Sequence, residues 1–193
     1  MFSLKNVSPS ITDMIRFDHS HVVLTWHQYV ATKRPTVKKA LAETICDALE
    51  IHATLEEEIF YPTLRQLGLG GSAMGKSEPE HNEMRAVIAQ IRSADPATSR
   101  YDQLVAELMR DVLKHVADEE TVLLPDAERM LSATRLNELG IAMTKRRAEL
   151  LAPKAGKIAT STLVGFSSST TAMVGAAVGA LLLGRALSKR AFS

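Results

Sequence analysis

The stretch HATLEEEIFYP at residues 52–62 decides the fold, because it recurs without a gap as HVADEETVLLP at residues 115–125. The copies lie 63 residues apart, and each opens on histidine, carries glutamate four and five positions later, and closes on proline. A second pair keeps almost the same step: His19 follows Asp18, and 62 residues on His81 follows Glu80. Two related helical hairpins account for both offsets. Four residues of α-helix turn through about 400° and rise about 6 Å, so His52 and Glu56 share one helix face, as do His115 and Glu119.

Outward from these copies, apolar residues recur at intervals of three and four through most of the chain, and no run alternates long enough to make a strand. The class is all-α. The first helix is expected to start near Ser8 or Ser10, both good amino-terminal caps, and to end around Lys33, Arg34 and Pro35. Its stripe runs through Ile11, Ile15, Val22, Trp26 and Tyr29, with His19 upon it. The second carries Val37, Leu41, Ile45, Leu49, His52 and Glu56, and runs past Pro62 towards Leu67. The glycine- and serine-rich segment 68–79 reads as the longest loop, with Ser77, Pro79 and Glu80 capping a third helix that holds His81, Met84, Ile88 and Ile91. Ser99 and Asp102 open a fourth, with Leu104, Leu108, Val112, His115 and Glu119 along one face. Four amphipathic helices with short connections make an up-down-up-down four-helix bundle over residues 8–131. Additional helices are expected at the carboxyl end: a connecting helix within 132–153, and another within the apolar, small-residue segment 154–193.

The stripes turn His19, His52, Glu56, His81, His115 and Glu119 towards the bundle axis. One histidine on such a stripe is ordinarily a satisfied core residue, but four of them with two carboxylates at duplicated positions make a metal site. The set exceeds what one tetrahedral zinc needs and suits two octahedral ions. Nitrogen and carboxylate oxygen donors with room for exogenous oxygen favour iron or manganese, with iron the first choice. Histidine must be neutral to ligate, so the site is expected to load at neutral pH and empty in acid.

The series His19, then His52 with Glu56, then His81, then His115 with Glu119 resembles the hemerythrin-like, or HHE cation-binding, family across residues 11–130. The resemblance implies a four-helix bundle around two non-haem iron ions, oxo- or hydroxo-bridged and spanned by two carboxylates, with those six residues as ligands. It implies binding or reduction of dioxygen, peroxide or nitric oxide, in sensing, storage or detoxification under oxidative or nitrosative stress. Oxygen-carrying members have a further histidine one turn after the third-helix ligand, where this chain has Arg85. That departure leaves one iron a protein nitrogen short, unless another side chain is recruited, and favours catalase-like turnover of peroxide over reversible carriage. The oxygen carriers also use a carboxylate five residues after the fourth-helix histidine, which would select Glu120, whereas the H-x-x-x-E pattern selects Glu119, the choice preferred here. Two alternatives stand beside this function. Iron donation for iron–sulfur cluster repair, known in the same family, goes with a cysteine-bearing amino-terminal domain, and the ten or so residues before the first helix here weaken that reading. A membrane-associated helical module with a structural metal would be non-catalytic.

Other residues have plainer expectations. His21 points away from the stripe of His19, and His27 lies near the stripe edge. Glu57, Glu58 and Glu120 read as solvated faces, and Trp26 and Cys46 as core packing. Tyr61 lies at an unfavourable angle on an ideal helix, but Pro62 removes a helical hydrogen bond and can rotate the turn so that the phenol approaches the metals.

The chain has 193 residues, 46% apolar and 23% charged, enough for one globular domain and an appendage. With 23 basic against 22 acidic residues and 5% aromatics, it lacks the basic excess or stacking rings of a nucleic-acid binder, so no nucleic-acid partner is expected. The single cysteine and the lack of a signal-like start point to the cytoplasm. Residues 158–184 contain no charge and are flanked by Lys154, Lys157, Arg185, Lys189 and Arg190. That is long enough for a bilayer span, which needs roughly 20 residues, and Gly175 with Gly179 permits close helix contact. Either attachment to the inner face of a membrane or self-association is expected of this segment.

Overall fold

The computed structural model describes residues 9–69 and 71–165, and every regular element in them is helical. Helix α1 spans Ile11–Ala31, α2 Pro35–Leu55, α3 Tyr61–Gln66, α4 Gly71–Ser93, α5 Ser99–Asp118, α6 Leu124–Met130, α7 Ala133–Leu151 and α8 Ala155–Gly165. Helix α1, the α2–α3 unit, α4 and the α5–α6 unit form the four-helix bundle that the duplicated hairpins predict. Ser10 caps α1 through a reciprocal pair: its hydroxyl accepts from the Asp13 amide, and the Asp13 carboxylate accepts from the Ser10 amide.

Helices α2 and α5 do not pass smoothly into α3 and α6. Each junction is one π-helical turn, Glu56–Phe60 and Glu119–Leu123, in which the amides of Tyr61 and Leu124 donate to the carbonyls of Glu56 and Glu119 five residues back. The prolines that follow, Pro62 and Pro125, explain both. Proline has no amide proton and its ring crowds the carbonyl four residues before it, so the turn ahead of it widens.

The expected loop over 68–79 is instead mostly helix. Helix α4 begins at Gly71 and carries Pro79 in its interior, so Ser77 and Glu80 do not cap its start. Tertiary packing overrides the poor helix propensity of this stretch. Ala73 and Met74 pack on the core, and Ser77 is buried with its hydroxyl donating to the Ala73 carbonyl. At α5 the cap is Thr98, one residue before the expected Ser99. Asp102 instead accepts from Tyr29 and Lys38, tying α5 to α1 and α2.

The apolar interior divides into two clusters. One is built on Val22, Ile45, Leu49, Ile88, Leu108 and Val112, and the other on Ile11, Ile15, Leu55, Phe60, Leu64 and Leu123. Between them along the helices lie His19, His52 and His115. Helix α7, the connecting helix expected from the sequence, adds Leu136, Leu139 and Met143 to the second cluster. Helix α8 lies along α2, where Arg92, Lys154 and Lys157 pair with Glu43, Asp47 and Glu50. Among the described residues no helix is long and apolar enough to cross a membrane. Residues 166–184 of the uncharged segment lie outside the described residues.

The close approach of α7 to the start of α1 requires Gly140, since a Cβ there would fall 2.2 Å from the Pro9 carbonyl oxygen. Gly140→Ala should therefore lower stability by roughly 1–3 kcal/mol through overpacking, measured by denaturant unfolding. An unchanged midpoint would show that α7 does not seat on Pro9.

Candidate metal centre

The six residues singled out by the repeat converge at the level between the two clusters. His52 Nε2 lies 3.2 Å and His81 Nε2 3.4 Å from Glu56 Oε2. His19 Nε2 lies 3.3 Å and His115 Nε2 3.4 Å from Glu119 Oε2. His81 and His115 bring their Nε2 atoms within 3.1 Å of each other. No member is more than 5% exposed, and both carboxylates are at 0%. The donors fall into two groups, His19, His52, Glu56 and Glu119 in one and Glu56, His81 and His115 in the other, with Glu56 common to both.

A cation fits this set. His19 Nε2, His52 Nε2, Glu56 Oε1 and Glu119 Oε2 are buried and have no hydrogen-bond partner among the described residues. Buried polar atoms are almost always satisfied, and a buried carboxylate without compensation is costly. In the protein alone, burial and the adjacent Glu119 raise the Glu56 carboxyl above the usual carboxylate range. Burial also works against ionised Glu119, but the neighbouring His19 and His115 hold its carboxyl low. Burial opposes a charged His19 too, yet Glu119 and Glu120 outweigh it and lift the imidazole to about 9. His81 is shifted down by burial, towards the neutral form that ligation needs.

Each imidazole is held from behind by a carboxylate on its Nδ1. Asp18 lies 3.4 Å from His52 Nδ1, Glu80 3.0 Å from His115, Glu57 2.9 Å from His81 and Glu120 2.8 Å from His19. With Nδ1–H donating outward, every Nε2 lone pair faces inward, as metal-binding histidines are usually arranged. The pattern obeys the duplication. The acid before the first histidine of a hairpin supports the histidine on that hairpin's second helix. The second glutamate of each repeat supports the first histidine of the other hairpin. Basic residues tether three of these acids: Arg147 of α7 pairs with both oxygens of Asp18 at 2.6 Å, Arg85 with Glu57 at 2.8 Å, and Lys114 with Glu80 at 3.3 Å. Burial acts against the charge of Asp18, but His52 and Arg147 hold its carboxyl down at about 2.

The family described as Hemerythrin HHE cation binding domain matches residues 10–127 and, in a second match, 76–149. The chain belongs to the hemerythrin HHE cation-binding family. A Nostoc sp. (strain PCC 7120 / SAG 25.82 / UTEX 2576) protein named DNA nickase is 27% identical over 129 residues, which are 67% of this chain and 36% of that protein. This chain thus corresponds to about a third of that relative, whose name leaves the exclusion of nucleic acid without support. No solved structure matches the chain.

Set against the oxygen-carrying hemerythrins, Arg85 does not face the centre; it reaches outward to Glu57 and Asn82. The side chain found at the centre is Tyr61. It lies nine residues after His52, about half a turn away on an ideal helix, and the π turn, which takes up one extra residue, sets it back by about 100°. Its hydroxyl donates to Glu119 Oε1 at 2.7 Å and to Glu56 Oε2 at 3.1 Å. Leu124 holds the matching place in the other hairpin, so the phenol is present on one side only.

Of the two candidate carboxylates in the second repeat, Glu119 turns inward and Glu120 takes the back of His19. Glu57 and Glu120 are therefore not simply solvated faces, because each caps the Nδ1 of a histidine across the bundle. Their signal was the repeated double glutamate, just as Asp18 and Glu80 were marked by the repeated acid–histidine pair. Nothing in the sequence marked Arg147. Glu58 pairs with Arg146 at the surface, and His21 and His27 are exposed. Cys46 is fully buried, with burial pushing its thiol up to about 12, and Trp26 packs on the first core cluster.

Arg147→Ala should weaken metal binding by roughly 10- to 100-fold, because Asp18 loses its tether and His52 its fixed orientation. Arg146→Ala, on the same helix but paired with Glu58 and Glu149, should not. Equal affinities in a metal titration of the two variants would contradict the role given to Asp18.

Proposed function

We propose that the protein is a non-haem di-iron protein that binds or reduces dioxygen, peroxide or nitric oxide. The observation that carries this proposal is the pair of buried donor groups sharing Glu56. His19, His52, Glu56 and Glu119 would hold one ion, and His81, His115 and Glu56 the other. Bound there, iron supplies redox capacity and an exchangeable position for a small oxygen or nitrogen ligand.

The chain's own residues set what reaches that position and in what state. Asp18, Glu57, Glu80 and Glu120 keep the four imidazoles in the ligating tautomer. A cavity of about 10 Å³, bordered by Val22, Leu49, Met84 and Val112, adjoins His19, His52 and His115. That is room for about one water-sized molecule, and its apolar walls favour a small neutral ligand over a polar metabolite. Burial of the donors keeps bulk water from the centre. The cytoplasm is the proposed location, in keeping with one buried cysteine and no disulfide among the described residues. The name of the Nostoc relative is the one observation that favours DNA as a partner, and a plasmid-nicking assay tests it.

Reduced, iron-loaded protein mixed anaerobically with nitric oxide, or exposed to dioxygen, should develop a new visible absorption. His115→Ala, which removes a donor, should not develop it. Spectra indifferent to both gases would contradict the proposal. Peroxide loss with oxygen evolution, faster in the wild type than in His115→Ala, would identify the catalase-like branch.

A further inference from the structure

The two donor groups are unequal: four donors surround one side, and three, His81, His115 and Glu56, the other. The sequence explains the shortage, since Arg85 occupies the place of a further histidine and spends its guanidinium on Glu57. Tyr61 lies on the short side. Its ring stacks on His81 at 5.7 Å between centroids with 23° between planes, and its hydroxyl is 3.4 Å from His81 Nε2.

We propose that Tyr61 is a further protein ligand of the iron centre, binding as a phenolate to the ion held by His81 and His115. This proposal rests on the di-iron function proposed above. Neighbouring donors around an octahedral ion with bonds of about 2.1 Å stand about 3.0 Å apart. Tyr61 Oη is 3.1 Å from Glu56 Oε2, 2.7 Å from Glu119 Oε1 and 3.4 Å from His81 Nε2. His81 Nε2 is in turn 3.1 Å from His115 Nε2 and 3.4 Å from Glu56 Oε2. These are the spacings of adjacent corners of one coordination shell, and the phenol supplies the corner that the sequence leaves open.

Ligation replaces the O–H bond with an oxygen–iron bond, and the proton leaves to solvent. The centre gains one negative charge, which favours ferric over ferrous iron. Because Leu124 fills the equivalent place, the charge is added on one side only.

The ferric wild-type protein should show a visible phenolate-to-iron charge-transfer band, with tyrosine ring vibrations enhanced in resonance Raman spectra taken within it. Tyr61→Phe should keep its iron by elemental analysis and lose the band. Should Tyr61→Phe fail to fold, Tyr29→Phe and Tyr101→Phe decide the matter. The chain has three tyrosines, and Tyr29 and Tyr101 lie in the first core cluster, so a band that survives in both and shifts with ring-deuterated tyrosine belongs to Tyr61. Iron-loaded wild type without the band, or a band that persists in Tyr61→Phe, would overturn the proposal while leaving the di-iron function standing. Wild type that takes up no iron would overturn both.

Discussion

Two glutamates with no solvent exposure, Glu56 and Glu119, face each other's histidines in the middle of a helical bundle, and the rest of the structure is built around their charge. Removing a carboxylate from water costs several kcal/mol even after relaxation, so this pair is tolerable only beside positive charge. In the protein alone the surrounding imidazoles supply some of it, His19 foremost because Glu119 and Glu120 favour its charged form over the cost of burial. Divalent or trivalent cations supply more, and the inward Nε2 atoms give them coordination that protons cannot use. Polarity alternates outward along connected side chains, from Glu56 through His52 and Asp18 to Arg147, and from Glu119 through His115 and Glu80 to Lys114. In each chain the central carboxylate is fixed by groups that are themselves fixed, and the last of them reaches a surface cation.

That arrangement costs the bundle a continuous core. The polar layer separates two apolar clusters, and the second depends on an element outside the four helices. Helix α7 closes it with Leu136, Leu139 and Met143, and the same helix carries Arg147 to Asp18. Packing and metal-site geometry are thereby linked. A change that lifts α7 exposes the second cluster and releases the support of His52 together. The small residue at Gly140 lets the helix lie close enough for both roles.

The sequence was legible where it repeats. Gapless duplication of His52 to Pro62 made the hairpins, the bundle and the six inward residues readable at once, because spacing alone puts histidine and glutamate on one face. Local chemistry also exposed Tyr61, since a proline after it has only a few ways to resolve its missing hydrogen bond. What could not be read was which outward residue meets which helix. Glu57 and Glu120 look solvated on their own helices and find their histidines only across the bundle. Arg147 approaches Asp18 across 129 positions, and nothing local foretells that. Helix α4 reads as a glycine-rich loop up to Ser77, because the contacts that make it helical belong to the second cluster rather than to its own composition.

Anomalous diffraction at the iron absorption edge, from crystals of the iron-loaded protein, tests the central claim most directly. The proposed di-iron centre predicts two iron peaks, one amid His19, His52, Glu56 and Glu119 and one beside His81 and His115, with Glu56 reaching both. A single peak, or iron bound anywhere that leaves these six side chains without it, would contradict the assignment.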